Sequence, residues 1–349
     1  MPTAPFPAAQ IATARGATAT TPVAQILSLG AYIPDGVLTN SDMESMVDTS
    51  DTWIVERTGI SERHRVGPTD TAASMGERAA REALATAGDP LVDAIIVATC
   101  SSETRLPSSA CLIQERLGIT GMPAFDINAA CSGFVYALAI SDSLIRSGAL
   151  RTVLVVASEA LTPLVDYTDR TTCVLFGDGA AAAVVGSGSG DGGIRAVRWA
   201  ADGGAADLIY FGARPDDPGG DRAIRMSGRG TFRMAVERMV EASLQLCDDA
   251  GWAPGDVDWF IPHQANLRII EAAAKRVGVP MDRVIVNVQR VGNTSAASIP
   301  LAIHEAAAAG RLRPGQRLVS VAFGSGVTWG GVALEWTGTS SEMAGSPSR

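Results

Sequence analysis

One cysteine stands in a setting suited to nucleophilic chemistry: Cys131, in the run PAFDINAACSGFVYALAISDSLIRSG over residues 123–148. A short apolar stretch reads as a strand ending in small residues. Helical periodicity begins at the cysteine, with Phe134, Ala137, Leu138, Leu144 and Ile145 on one stripe. A thiol at a helix start faces unpaired backbone N–H groups and the positive end of the helix dipole, so thiolate is expected over thiol. A thiolate at a glycine-flanked turn can accept an acyl group. Taken alone, such a cysteine reads more simply as a small buried hydrophobe. Three further segments change that reading. His263 closes the apolar run WFIPH ahead of a helical pattern, where an imidazole can project into a cleft; His64, among charges in SERHR, and His304, in an Ala-rich helix, have plainer roles. Asn293 follows Gly292 at a Ser/Thr-rich helix start in VGNTSAASIPLAI. An Asn there caps a turn, and beside a histidine its neutral amide can also hold a carbonyl oxygen that becomes an enolate. AFGSGVTWGG (322–331) is a glycine-rich turn after a strand, either a tight hairpin or a source of free N–H groups.

Placing these residues takes alternating strands and helices. DAIIVATC (93–100), RTVLVVASEA (151–160), WFIPH (259–263), RVIVNV (283–288) and RLVSVAF (317–323) are apolar and partly β-branched, as strands covered on both faces are. Between them run the Ala-rich helical patterns 75–88, 232–251 and 266–278, an α/β order of packed layers. The order repeats faintly. A helix and a strand (75–100, then 232–263) are followed by a strand leading into a small-residue turn and helix (123–128, then 283–288), and then by another strand. The division is expected near GSGSGDGG, giving a flexible extension over 1–24, halves over 25–195 and 196–337, and a loose tail over 338–349. Cys131 falls in the first half, His263 and Asn293 in the second, so a shared site would lie at the seam.

Composition excludes several classes of function. With 46% hydrophobic and 19% charged residues, 349 residues build a sizeable soluble core. A net charge of −9 with no basic run argues against a general nucleic-acid binder. No apolar stretch approaches the length of a membrane span, and the Ala/Thr/Pro-rich start lacks a secretion signal. An organelle-targeting peptide is the lesser alternative there, given Arg15 and no acidic residue. Five cysteines without metal-type pairing fit reduced thiols in a cytoplasmic protein. No G-x-x-x-x-G-K-[ST] loop exists, and FGDGAAAAVVG (176–186) is a poor dinucleotide fingerprint.

Together, AACSGF around Cys131, PHQANLRI around His263, GNTSAASIPLA around Asn293, and FGSGVTWG resemble the motifs of β-ketoacyl-acyl-carrier-protein synthase III. The resemblance runs from about residue 25 to residue 337 and includes VDTSDTWIVERTGISERH (47–64) and TDRTTCVLFGDGA (168–180). It implies the thiolase fold, two similar α/β halves in five α-β-α-β-α layers, in a homodimer. It also implies a Cys131, His263 and Asn293 catalytic set, with the backbone N–H groups of Cys131 and Ser325 as an oxyanion hole. Trp53 matches the residue that stacks on the adenine of coenzyme A, with Arg170 on the other face; Thr49 and Arg57 match nearby contacts, and Asn266 a residue beside the pantetheine arm. An aromatic and a guanidinium plane suit a purine, and Arg suits phosphate. Arg268 matches a residue linked to carrier-protein docking, and Arg233, Lys275 and Arg276 could extend it into a basic patch for an acidic partner. Two departures concern substrate choice. Leu106 stands where some relatives have a Phe flooring the partner's acyl pocket, which implies a longer or branched primer. Arg229 replaces an Asn along the pantetheine channel.

The reaction implied is a decarboxylating Claisen condensation of an acyl-CoA primer with malonyl-acyl-carrier protein. It uses no metal or redox cofactor, because the thioester makes the acyl carbon electrophilic and the neighbouring carbon acidic. Rival readings are a starter-unit synthase of a polyketide pathway, a biosynthetic thiolase, a papain-like hydrolase, and a silent carrier-protein-binding dimer partner. The thiolase generally needs a second catalytic cysteine late in the chain, whereas the last here is Cys247.

Overall fold

The computed structural model describes residues 22–188, 192–212 and 222–338. Most of the expected N-terminal extension and C-terminal tail lies outside them. The chain opens on β1 (Val23–Tyr32). Next come β2 (Gly36–Thr39), α1 (Asn40–Met46), α2 (Asp51–Thr58), β3 (Glu62–Arg65), α3 (Ala72–Thr86), β4 (Ala94–Ala98), α4 (Ser109–Leu117) and β5 (Ala124–Ile127). The first half closes with α5 (Gly133–Arg146), β6 (Thr152–Glu159) and β7 (Gly179–Gly188). The second comprises β8 (Gly193–Ala201), β9 (Ile209–Phe211), β10 (Ile224–Met226), α6 (Gly228–Ala250), β11 (Trp259–Pro262), α7 (Leu267–Val277), α8 (Val288–Val291), α9 (Ser298–Ala308), β12 (Arg317–Gly324) and β13 (Thr328–Glu335).

Two sheets carry the fold, ordered β1-β7-β6-β4-β5 and β8-β13-β12-β11. In each, two antiparallel pairings lead into parallel pairing, two strand pairs in the first sheet and one in the second. The period-2 alternation decides what each face touches. On β6, Val153, Val155 and Ala157 turn toward the central core with α5 and α9, while Leu154 and Val156 pack with residues of α3 and α4. On β12, Leu318 and Ala322 join the central core, while Val319, Val321 and Phe323 pack with residues of α6 and α7. Both faces of both sheets are therefore covered, and the layers run α3/α4, sheet, α5/α9, sheet, α6/α7. This is the five-layered thiolase-like arrangement.

Three boundaries differ from expectation. The run 283–288 is not a strand: it supplies one parallel bridge, Phe260 to Val284, where β5 lies in the first sheet. The Gln264 side chain takes over the edge, donating to the Ile285 carbonyl and accepting from the Asn287 N–H, and α8 begins at once. Gly193 and Ile194 pair within the second sheet, so the halves divide ahead of Gly193 rather than after residue 195. Residues 23 and 24 already belong to β1, paired with β7, not to an extension.

Candidate active site

The nucleophile's turn is built from a clash that only glycine avoids. Gly324, at the end of β12, passes so close to residues 129–132 that a Cβ there would lie 2.7 Å from the Cys131 nitrogen. That approach carries Ser325 to the wall of the same cavity as Cys131. Ser325 is not among the residues with positive φ, so serine holds this place without backbone strain. Its hydroxyl is bonded to the Ile209 carbonyl, 2.5 Å away.

Cys131 lies in a single 3₁₀ turn, Ala130–Ser132, ahead of α5, and Ala130 has φ of +46°. The duplicated turn in the second half repeats this geometry: Ser295–Ala297 precedes α9, and Ser295 has φ of +48°. Each turn is held by an asparagine two residues before it bends. Asn128 Oδ1 accepts the Ala130 N–H at 3.3 Å, and Asn293 Oδ1 accepts the Ser295 N–H at 2.9 Å. The Asn293 backbone is fixed by the Leu175 carbonyl and the Gly177 N–H. With Oδ1 spent on the turn, the Asn293 amide nitrogen is left to donate toward the cavity. His263 follows β11, its N–H on the Val321 carbonyl and its ring buried, with Nδ1 2.6 Å from the Ser298 hydroxyl.

Cys131, His263 and Asn293 thus line one cavity of about 980 Å³. Its mouth is bordered by Trp53 and Arg57 from α2, Arg229 from α6, Asn266 just ahead of α7, and Arg268 from α7. Asn266 caps α7, accepting the Arg268 N–H, and its amide donates to the Arg57 carbonyl, which ties α7 to α2. No acidic side chain among the described residues pairs with Arg57, Arg229 or Arg268. Other expected residues lie elsewhere. Arg170 does not line the cavity; its guanidinium rests on the Trp53 indole, 5.2 Å from the ring centroid, and donates to the Asp48 carbonyl. A purine would enter between those planes only by moving Arg170 aside. Thr49 is also outside the lining, its hydroxyl buried without a partner. Arg233, Lys275 and Arg276 are exposed beyond the mouth, the latter two at the far end of α7. Leu106 is 87% exposed and touches no part of this cavity's wall.

The electrostatics run against one expectation, that of a resting thiolate. The Cys131 thiol is pushed up to about 12, first by burial and then by the Glu159 carboxylate, with the Ser295 hydroxyl pulling the other way. Burial thus favours the thiol over the thiolate at the resting sulfur. His263 is driven down to about 3 by burial and is neutral. The site is a neutral thiol with a neutral imidazole. Alkylation of Cys131 by iodoacetamide, followed by mass spectrometry, should climb about tenfold per pH unit across the neutral range. A plateau reached by pH 7 would reveal a resting thiolate and contradict this.

Sequence reasoning missed three residues here. Cys100, just past β4, lines the cavity, its sulfur 3.4 Å from Glu159 Oε1. Glu159, at the end of β6, is fully buried and accepts from Ser101, Thr99 and the Cys100 N–H. Ser298 contacts His263. Aligning AACSG with TSAAS across the duplication would have flagged the third.

Residues 125–203 match the family 3-oxoacyl-[acyl-carrier-protein (ACP)] synthase III, and residues 247–336 match its C-terminal part. The β-ketoacyl-[acyl-carrier-protein] synthase III of Xanthomonas campestris pv. campestris is 47% identical over 322 residues, 89% of this chain and 98% of that protein. The crystal structure of the Aquifex aeolicus 3-oxoacyl-[acyl-carrier-protein] synthase III is 46% identical with a TM-score of 0.85, covering 90% of this chain and 100% of that one. The priming β-ketosynthase from the R1128 polyketide biosynthetic pathway is 36% identical with a TM-score of 0.87, covering 92% and 98%.

Proposed function

Since the chain belongs to the β-ketoacyl-acyl-carrier-protein synthase III family, we propose that it condenses an acyl-CoA primer with malonyl-acyl-carrier protein, the step that initiates fatty acid synthesis. The observation that carries this reading is the single cavity lined by Cys131, His263 and Asn293. The Cys131 sulfur attacks the primer thioester. The charge on the tetrahedral oxygen is held by the Cys131 and Ser325 N–H groups, each such donor being worth about 3–4 kcal/mol. Coenzyme A leaves with the proton that the thiol gave up. Malonyl-acyl-carrier protein then enters, and the His263 and Asn293 N–H groups hold its thioester carbonyl. Loss of carbon dioxide puts an enolate at that oxygen. Its carbon attacks the acyl-enzyme, releasing the Cys131 sulfur, which regains a proton.

The arginines at the mouth suit the phosphates of coenzyme A and of a phosphopantetheine arm, bound as a bidentate pair or through charge alone. In this reading Trp53 and Arg170 bracket the adenine after Arg170 lifts, and Thr49 lies beside them with its unpartnered hydroxyl. Arg268, Arg233, Lys275 and Arg276 form the docking face for the acidic carrier protein. Two copies of the chain associate, with Leu106 closing the partner's acyl pocket; its exposure here suits a side chain that finds cover only in a dimer. No helix among the described residues is long and apolar enough to cross a membrane, and the five cysteines are unpaired. We place the enzyme in the cytoplasm, acting without a metal or redox cofactor.

Turnover with a panel of straight and branched acyl-CoA primers and malonyl-acyl-carrier protein tests this. Carbon dioxide release coupled to primer-dependent β-ketoacyl product is expected. Release of carbon dioxide with every primer left unconsumed would contradict it. The likeness to a polyketide priming synthase gives the second reading, a starter-unit enzyme. A marked preference for a primer that fatty acid synthesis does not use would favour it.

A further inference from the structure

Among the described residues His263 has one side-chain partner, the hydroxyl of Ser298, 2.6 Å from Nδ1. Ser298 is the first residue of α9 and is completely buried. Among the described residues its Oγ has two hydrogen-bonding neighbours, the imidazole and the Gln264 backbone N–H at 3.3 Å. An amide N–H can only donate, so Oγ accepts from Gln264, and the hydroxyl proton needs an acceptor of its own. No backbone carbonyl takes it, which leaves Nδ1. A neutral imidazole that accepts at Nδ1 carries its proton on Nε2. Gln264 is itself pinned: its amide donates to the Pro262 and Ile285 carbonyls and its oxygen accepts the Asn287 N–H.

We propose that Ser298 is a positioning residue whose hydroxyl fixes His263 as the Nε2–H tautomer, so that the imidazole meets the cavity as a hydrogen-bond donor and not as a base. This rests on the reading of His263 as a donor to the malonyl thioester carbonyl. The duplication shows that the hydroxyl is specific to this half. The counterpart of Ser298 is Gly133, at the start of α5, where a Cβ would lie 2.9 Å from the Ala98 side chain. The helix that follows the nucleophile has no room for a side chain at that place, whereas the helix that faces the histidine carries one. Burial keeps the ring neutral, so the tautomer, rather than the charge, is what remains to be set.

Nitrogen-15 NMR of the full-length protein labelled at histidine tests this, with His263 identified by loss of its signals in His263→Gln. The unliganded wild type is expected to show a bare Nδ1 and a protonated Nε2 at neutral pH. A proton on Nδ1, or an imidazolium, would overturn the proposal without any variant having to fold. In Ser298→Ala the signals should move toward a tautomer mixture. Decarboxylation of malonyl-acyl-carrier protein should slow about tenfold or more, as wrong-tautomer variants do, while acylation of Cys131 is unchanged. An unaltered decarboxylation rate or tautomer in Ser298→Ala would overturn the proposal. Failure of the underlying reading has a different sign: His263→Gln would then decarboxylate at the wild-type rate.

Discussion

Cys131→Ala is expected to abolish condensation, lowering turnover by about 10⁴-fold or more, as removal of a covalent nucleophile does. Among the described residues one other thiol, that of Cys100, shares the cavity. The Cys100 sulfur lies 3.4 Å from the Glu159 carboxylate, whereas Gly324 sets Ser325 against the Cys131 turn. The variant should still decarboxylate malonyl-acyl-carrier protein slowly, because the His263 and Asn293 donors are held by contacts that do not involve the sulfur. The check is intact mass after incubation with labelled acyl-CoA, with carbon dioxide release measured in parallel. Covalent label on the variant would refute the assignment.

His263→Ala and Asn293→Ala should show the opposite pattern. Each removes a preorganised donor to the developing enolate, at a cost of roughly 10²–10³-fold in decarboxylation. Acylation should change little, since its oxyanion is assigned to backbone N–H groups. Asn293→Ala also deletes the Oδ1 acceptor that bends the Ser295 turn, so its fold should be verified by circular dichroism. Rapid-quench measurement of acylation, set beside carbon dioxide release, separates the two half-reactions. Equal losses in both would remove the division of labour.

The layers could be read from the chain because β4, β6 and β12 are buried on both faces and their runs are apolar, broken in β12 by the single Ser320. The duplication was legible for the same reason. The run 283–288 looked just as strand-like, but it lies at a sheet edge where the Gln264 side chain substitutes for ladder bonds, and side-chain competition with a ladder leaves no trace in hydrophobic periodicity. Helix α6 begins four residues earlier than periodicity suggested, through the polar segment GRGT. The catalytic trio emerged from motif resemblance and local context. The upward shift of the Cys131 thiol did not, because burial and the Glu159 carboxylate act on it from outside the local helix start. Ser298 was missed for a related reason: its meaning comes from a ring 35 positions away.

The central claim is that the Cys131 sulfur carries the primer between the two half-reactions. A pulse of labelled acyl-CoA followed by proteolysis and peptide mass mapping locates the acyl group, and a chase of malonyl-acyl-carrier protein follows its fate. The account predicts label on the peptide containing Cys131 that disappears as labelled β-ketoacyl product forms. Label on Cys100 instead, or label on Cys131 that the chase leaves in place while product accumulates, would contradict it.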